Sequence, residues 1–147
     1  MFIDRCYITK GNAKVIKEYS DNVNDKTRLH SGLDIEASEI YSICPGVVTQ
    51  RFNEGNLVCL TIQYNSNLIF RYRNLSYSDL YVCDMVRTGD NIGRCNNFIH
   101  FECISNDHDS IFPVEIFGDK YYKIDPLPYI DGSIQLYQGY GSEVNYI

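Results

Sequence analysis

His100 stands in the run Phe98-Ile99-His100-Phe101-Glu102, an apolar, aromatic-rich stretch that reads as a buried strand. Residues two apart on a strand share a face, so Phe98, His100 and Glu102 point the same way. A buried imidazole without a partner is costly. The chain offers partners chiefly in His30-Ser31-Gly32-Leu33-Asp34-Ile35. Taken alone, a histidine four residues before an aspartate arises often by chance, and a lone strand histidine is more often a satisfied core residue than a ligand. Their chemistry depends on what brings the two segments together.

The surrounding pattern is one of short strands. Phe2–Ile8 carries a weak strand signal, Gly11–Ser20 fits a strand or a short helix, and Asp21–Lys26 reads as a polar loop. Glu39–Cys44, Val47–Phe52, Leu57–Tyr64, Leu68–Leu75, Tyr81–Val86 and Phe98–Ile104 read as strands. Val114–Phe117 and Tyr121–Ile124 pair as a possible hairpin. Turn signals separate them at Pro45-Gly46, Asn53-Glu54-Gly55-Asn56, Asn65-Ser66-Asn67 and Arg87-Thr88-Gly89-Asp90, followed by Asn91-Ile92-Gly93. No stretch is a convincing amphipathic helix. The expected class is all-β: an antiparallel sheet, sandwich or partly closed barrel.

Composition narrows the function. At 147 residues the chain is one domain's worth, and 13 Tyr with 7 Phe suit a β-rich core. A net charge of −6 with no basic run argues against nucleic acid. No stretch reaches membrane-span length, and the charged Met1–Cys6 segment lacks the apolar core of a signal peptide. Synthesis in a cytoplasm is the expectation. The 6 Cys contain no CxxC pair, and most sit in apolar runs such as Val58-Cys59-Leu60 and Tyr81-Val82-Cys83. Free core thiols are expected, rather than disulfides or a thiolate zinc site.

Six landmarks then occur in one order: His30-Ser31-Gly32-Leu33-Asp34-Ile35, Pro45-Gly46-Val47-Val48, Tyr72-Arg73-Asn74-Leu75, Val86-Arg87-Thr88-Gly89-Asp90-Asn91-Ile92-Gly93, Ile99-His100-Phe101-Glu102 and Ile124-Asp125-Pro126. Their order and spacing resemble the M23 family of zinc metallopeptidases, peptidoglycan endopeptidases of the lysostaphin and LytM type. The resemblance spans about Arg28 to Ile130. It implies an N-terminal extension (1–27), an M23-like domain (28–130) and a C-terminal tail (131–147). It also implies that His30, Asp34 and His100 ligate zinc. Two imidazoles and a carboxylate leave a fourth tetrahedral position open, as catalytic zinc requires. The alternative is an inherited scaffold that no longer holds metal.

The departures fall on the catalysts. The family's two further histidines, the first of HxH and the one in Tyr-x-His-Leu, are here Phe98 and Asn74. Phenylalanine can neither move a proton nor donate to an oxyanion, and asparagine cannot accept a proton at neutral pH. A positioned acid or base is typically worth about 10²–10⁴ in rate. Possible substitutes are Tyr72, two residues before Asn74 and either on its face or a packing residue that faces the core, and His108, which reads first as part of a solvated polar loop. Glu102 is placed to orient His100 from outside the ligand set.

Two functions follow as expectations. One is a degenerate M23 domain, a wall-peptide binding or assembly module, to which the Tyr-rich segment Tyr137–Ile147 lends interface character. The other is an active endopeptidase cleaving peptidoglycan cross-links with a rearranged catalytic set. A wall-directed chain without a signal peptide, rich in Asn, Ile and Tyr, suggests a phage-tail or tailocin baseplate-hub component of a Gram-positive host. A free endolysin is the other route to the wall.

Overall fold

A computed structural model describes residues 1–136. Its strands are β1 (Phe2–Cys6), β2 (Gly11–Lys17), β3 (Leu33–Glu36), β4 (Glu39–Tyr41), β5 (Gly46–Glu54), β6 (Leu57–Gln63), β7 (Leu68–Leu75), β8 (Met85–Val86), β9 (Asn91–Arg94), β10 (Phe98–Ser105), β11 (Pro113–Ile116) and β12 (Asp119–Ile124). A 3-10 turn covers Lys26–Arg28, and one short helix, α1, covers Leu127–Ile130.

Ten strands form one antiparallel sheet in the order β1-β2-β3-β10-β7-β6-β5-β8, and β4 pairs with β9 in a small second sheet. Strand β10 is the axis. Its Phe98–Phe101 half pairs with β3, its Cys103–Ser105 end pairs with β12 on the same edge, and β7 runs along the other edge. Strand β12 in turn pairs with β11. The antiparallel all-β expectation holds.

Alternation along β10 sorts its side chains. Ile99, Phe101 and Cys103 enter the main core with Phe70 and Tyr72 of β7, and the Phe101 ring stacks on Phe70 with centroids 5.6 Å apart. The core is closed over this face by Ile40, Ile43, Cys44, Ile92 and Ile130 from β4, β9, α1 and their flanks. His100, Glu102 and Ile104 take the opposite face, where Ile104 joins Ile69, Ile116 and Tyr121 in a satellite apolar cluster. The apolar–polar alternation of Ile99-His100-Phe101-Glu102-Cys103 thus puts the core on one face and the imidazole and carboxylate on the other.

Strands β1 and β2 are integral to this sheet. Ile3, Cys6, Ile8, Ala13 and Val15 belong to the main core, and Ser20 and His30 exchange backbone hydrogen bonds of 2.9 and 3.0 Å. The open choice over Gly11–Ser20 resolves as strand over Gly11–Lys17.

Three local expectations change. Leu33–Glu36 is a strand because it finds β10, and Asn91–Gly93, expected as turn, is part of β9. The strand expected over Tyr81–Val86 shrinks to Met85–Val86. Tyr81 and Val82 are exposed, and Cys83 turns the chain at φ 79°. All six cysteines are free, as expected, and five are buried, with Cys83 the exposed one. No helix among the described residues is long and apolar enough to cross a membrane. The Tyr137–Ile147 segment lies outside the described residues.

Candidate metal centre and its cleft

His30, Asp34 and His100 converge, each offering a ligand atom within 4.8 Å of the others. Register makes this happen: His100 on β10 sits directly across from Asp34 on β3. An antiparallel bridge to Ser20 then pins the backbone of His30, just ahead of β3.

Each imidazole is held from outside the cluster. His30 Nδ1 lies 3.1 Å from the Glu18 carbonyl oxygen, which can only accept. Nδ1 therefore carries the proton, and Nε2 turns toward Asp34 Oδ1 at 3.4 Å. Burial holds the His30 pKa below its ordinary value and outweighs the pull of Asp34, which favours the neutral ring.

His100 is set the other way round. Its Nδ1 is 2.7 Å from Asp34 Oδ1, and its Nε2 is 3.1 Å from Glu102 Oε2. Burial works to lower its pKa, but the hydrogen bonds to Asp34 and Glu102 prevail and raise it. Gly32 makes room for this ring. A Cβ there would sit 2.5 Å from the Phe101 carbonyl oxygen and 3.0 Å from His100 Cε1 and Nε2.

The donor set fits zinc. It comprises two imidazoles and one carboxylate, each imidazole fixed by a hydrogen bond on its far nitrogen. Among the described residues this is the group of three that could hold a metal ion.

The cluster opens onto a cleft of about 420 Å³ lined by Ser31, Asp34, Glu54, Leu57, Arg73, Asn74, Phe98, His100 and Glu102. Asn74 and Phe98 thus line the same space as His100. Asn74 adopts φ 77°, a left-handed conformation that asparagine tolerates better than most residues. Its Nδ2 donates to the Phe98 carbonyl oxygen at 3.0 Å.

That kink breaks the alternation on which the cleft-facing reading of Tyr72 rested. Tyr72 pairs with Phe101 in register and is wholly buried on the core face. Its hydroxyl accepts the Ile43 N–H at 3.0 Å, and burial pushes its pKa far up. It therefore has no access to the cleft. His108 is exposed in its loop and does not line the cleft.

The residue on the His100 face of β7 is instead Arg73, the register partner of His100. Its guanidinium binds the Glu54 carboxylate through Nε, at 3.2 Å, and through Nη2. Neither residue was singled out from sequence, although alternation from a known register would have placed Arg73. Glu102 occupies the orienting position expected of it. Lys123 of β12, which reaches Glu102 Oε2 at 2.8 Å, carried no sequence signal.

No protein-family model matches the sequence, and no curated protein matches it. Solved structures do match in fold. An NMR solution structure of lysostaphin superposes with a TM-score of 0.64 at 18% identity over 88% of this chain, which spans only 54% of that one. A structure of the SpoIIQ–SpoIIIAH pore-forming complex gives a TM-score of 0.66 at 16% identity, covering 88% of this chain and 92% of that one. The catalytic domain of the prophage-encoded M23 protein EnpA from Enterococcus faecalis gives 0.59 at 17%, covering 78% and 88%. The chain has the fold of the M23 peptidases.

Proposed function

We propose that this chain is a zinc-binding M23-type domain that holds a peptidoglycan peptide in the His100 cleft and cleaves it slowly or not at all. The observation that carries this is the state of the two positions where the family resemblance expects catalytic histidines. Asn74 spends its amide on the Phe98 backbone, and Phe98 contributes an apolar ring to the cleft. Neither can relay a proton at neutral pH. Glu102 does not take over, because its side chain is 1% exposed and committed to His100 and Lys123.

Zinc held by His30, Asp34 and His100 supplies Lewis acidity toward a peptide carbonyl. The chain's own residues supply the rest of the cleft. Phe98 and Leu57 offer apolar surface, and the Arg73–Glu54 pair offers a charged rim. A second reading, an active endopeptidase, is favoured by that same pair, since it places a guanidinium and a carboxylate beside the metal ligands.

Wall zymography with the zinc-loaded chain separates the two. Binding to purified peptidoglycan without clearing supports the first reading. Clearing that disappears in His100→Ala establishes the second.

The assembly we propose is a phage-tail or tailocin baseplate hub. EnpA is prophage-encoded, which supports the phage reading, and SpoIIQ forms a complex with SpoIIIAH, which supports association with a protein partner. Co-purification with tail particles tests it, and a monomer that never joins them refutes it.

A further inference from the structure

The charged cluster behind His100 has no role in ligation itself. Glu102 Oε2 meets three groups: His100 Nε2 at 3.1 Å, Lys123 Nζ at 2.8 Å and Ser31 Oγ at 3.3 Å. Its Oε1 accepts no hydrogen bond and lies between Arg73 Nη1 at 3.8 Å and Arg71 Nη1 at 3.9 Å. Arg71 is held by Thr61 and Gln50, and Arg73 by Glu54. Of the three cations, only Lys123 is within hydrogen-bond reach of the carboxylate.

A buried carboxylate that is paired and hydrogen-bonded keeps its charge, whereas one that loses its partner is strongly disfavoured. A charged acceptor on Nε2 fixes the orientation of the imidazole and makes its other nitrogen a better ligand. Ser31 ties the same carboxylate to the segment that carries His30 and Asp34, so one side chain sets both halves of the cluster.

We infer that Glu102 and Lys123 together are positioning residues for the metal ligand His100, with Lys123 acting through Glu102. This rests on the zinc reading above and adds to it. The β11–β12 hairpin, which brings no ligand, becomes part of the metal centre through Lys123.

The test is zinc affinity of the full chain at one neutral pH, measured by competition with a chromophoric chelator. Wild type, His30→Ala, Glu102→Ala, Glu102→Gln, Lys123→Met and the Glu102→Gln/Lys123→Met double variant are compared. Glu102→Ala weakens zinc binding by about 10–100-fold, and Glu102→Gln, whose amide oxygen still accepts from Nε2–H, restores most of it. Lys123→Met weakens binding in the wild-type background and has no further effect beside Glu102→Gln. In the zinc-loaded wild type the His100 Nε2 proton exchanges slowly in nitrogen-edited NMR spectra, and Glu102→Ala removes that signal.

Zinc binding by Glu102→Ala as tight as wild type, with none in His30→Ala, overturns the inference alone. A wild-type chain that binds no zinc overturns the metal reading and this inference with it. Should Glu102→Ala fail to fold, the two Lys123→Met backgrounds decide. An equal effect in both overturns the inference.

Discussion

Asn74 and Phe98 are bonded to each other. The Asn74 amide donates to the Phe98 carbonyl oxygen at 3.0 Å, joining the end of β7 to the start of β10 at the rim of the cleft. These are the two positions where the family resemblance expects proton-handling histidines, and here a hydrogen bond links them. Beside this link stand His30, Asp34 and His100, the group that could hold a metal ion.

Placing histidine at both positions, as Asn74→His with Phe98→His, is expected to raise wall hydrolysis. One positioned acid or base is worth about 10²–10⁴ in rate, so a gain of about 10²-fold or more is the expected outcome. Release of soluble wall peptides from the zinc-loaded variant measures it. Unchanged release from a folded, zinc-loaded double variant would count against the idea that these two positions limit catalysis.

Tyr72→Phe is expected to cost about 1–3 kcal/mol, because it strands the buried Ile43 N–H. Zinc content and any wall activity should stay as in wild type. Chemical denaturation and elemental analysis on the same preparation give both numbers. A loss of activity at unchanged stability would return Tyr72 to the cleft chemistry.

Gly32→Ala is expected to destabilise the chain by about 1–3 kcal/mol and weaken zinc binding, since backbone and the His100 ring block the new methyl. Neither atom group can move freely: one is the Phe101 carbonyl, the other is held at both nitrogens. A thermal melt paired with zinc titration checks this. Wild-type values in both would mean that the ring has slack.

Acid stability should depend on Glu102. Burial alone would raise its carboxyl, but the His100 hydrogen bond and the Lys123 ammonium hold it down at about 2, below the usual 4.5. The stability this contributes is fully present above about pH 4.5 and is lost as pH falls toward 2, and it is on the order of a few kcal/mol. Denaturation midpoints from about pH 5.5 to about pH 2.5 should fall more steeply in wild type than in Glu102→Gln. Parallel slopes would refute the contribution.

Native thiol labelling should modify one cysteine per chain. Cys83 is exposed, whereas burial pushes the thiols of Cys6, Cys44, Cys59, Cys95 and Cys103 above their usual range. Thiols kept protonated and away from solvent react slowly. Mass spectrometry after brief alkylation, with and without denaturant, should give one adduct and six.

Much of this arrangement was legible in residue types. The Phe98–Ile104 run announced a buried strand, and the segment from His30 to Asp34 gave His100 its partners. What stayed hidden depended on register or backbone angle. Arg73 reaches the cleft because it lies across from His100, a pairing between residues 27 apart in sequence that no local pattern encodes. Lys123 required knowing that β12 continues the β10 edge after β3 ends. Of the two readings open for Tyr72, the core-facing one holds, because Asn74 leaves the strand alternation at φ 77°. Tyr81 and Val82 looked like strand from their types alone. Instead the Tyr81 ring lies 4.3 Å from the Arg51 guanidinium on an exposed turn.

The strict two-face sorting of β10 makes the site sensitive to counting. Deleting a single residue of β10 ahead of His100 would shift its pairing with β3 and β7 by one and exchange its faces. Phe101 would then meet solvent where His100 stands, and imidazole and carboxylate would enter the apolar interior. Length changes in this protein can therefore accumulate in its hairpin tips and outer loops, while the three central strands keep a fixed frame.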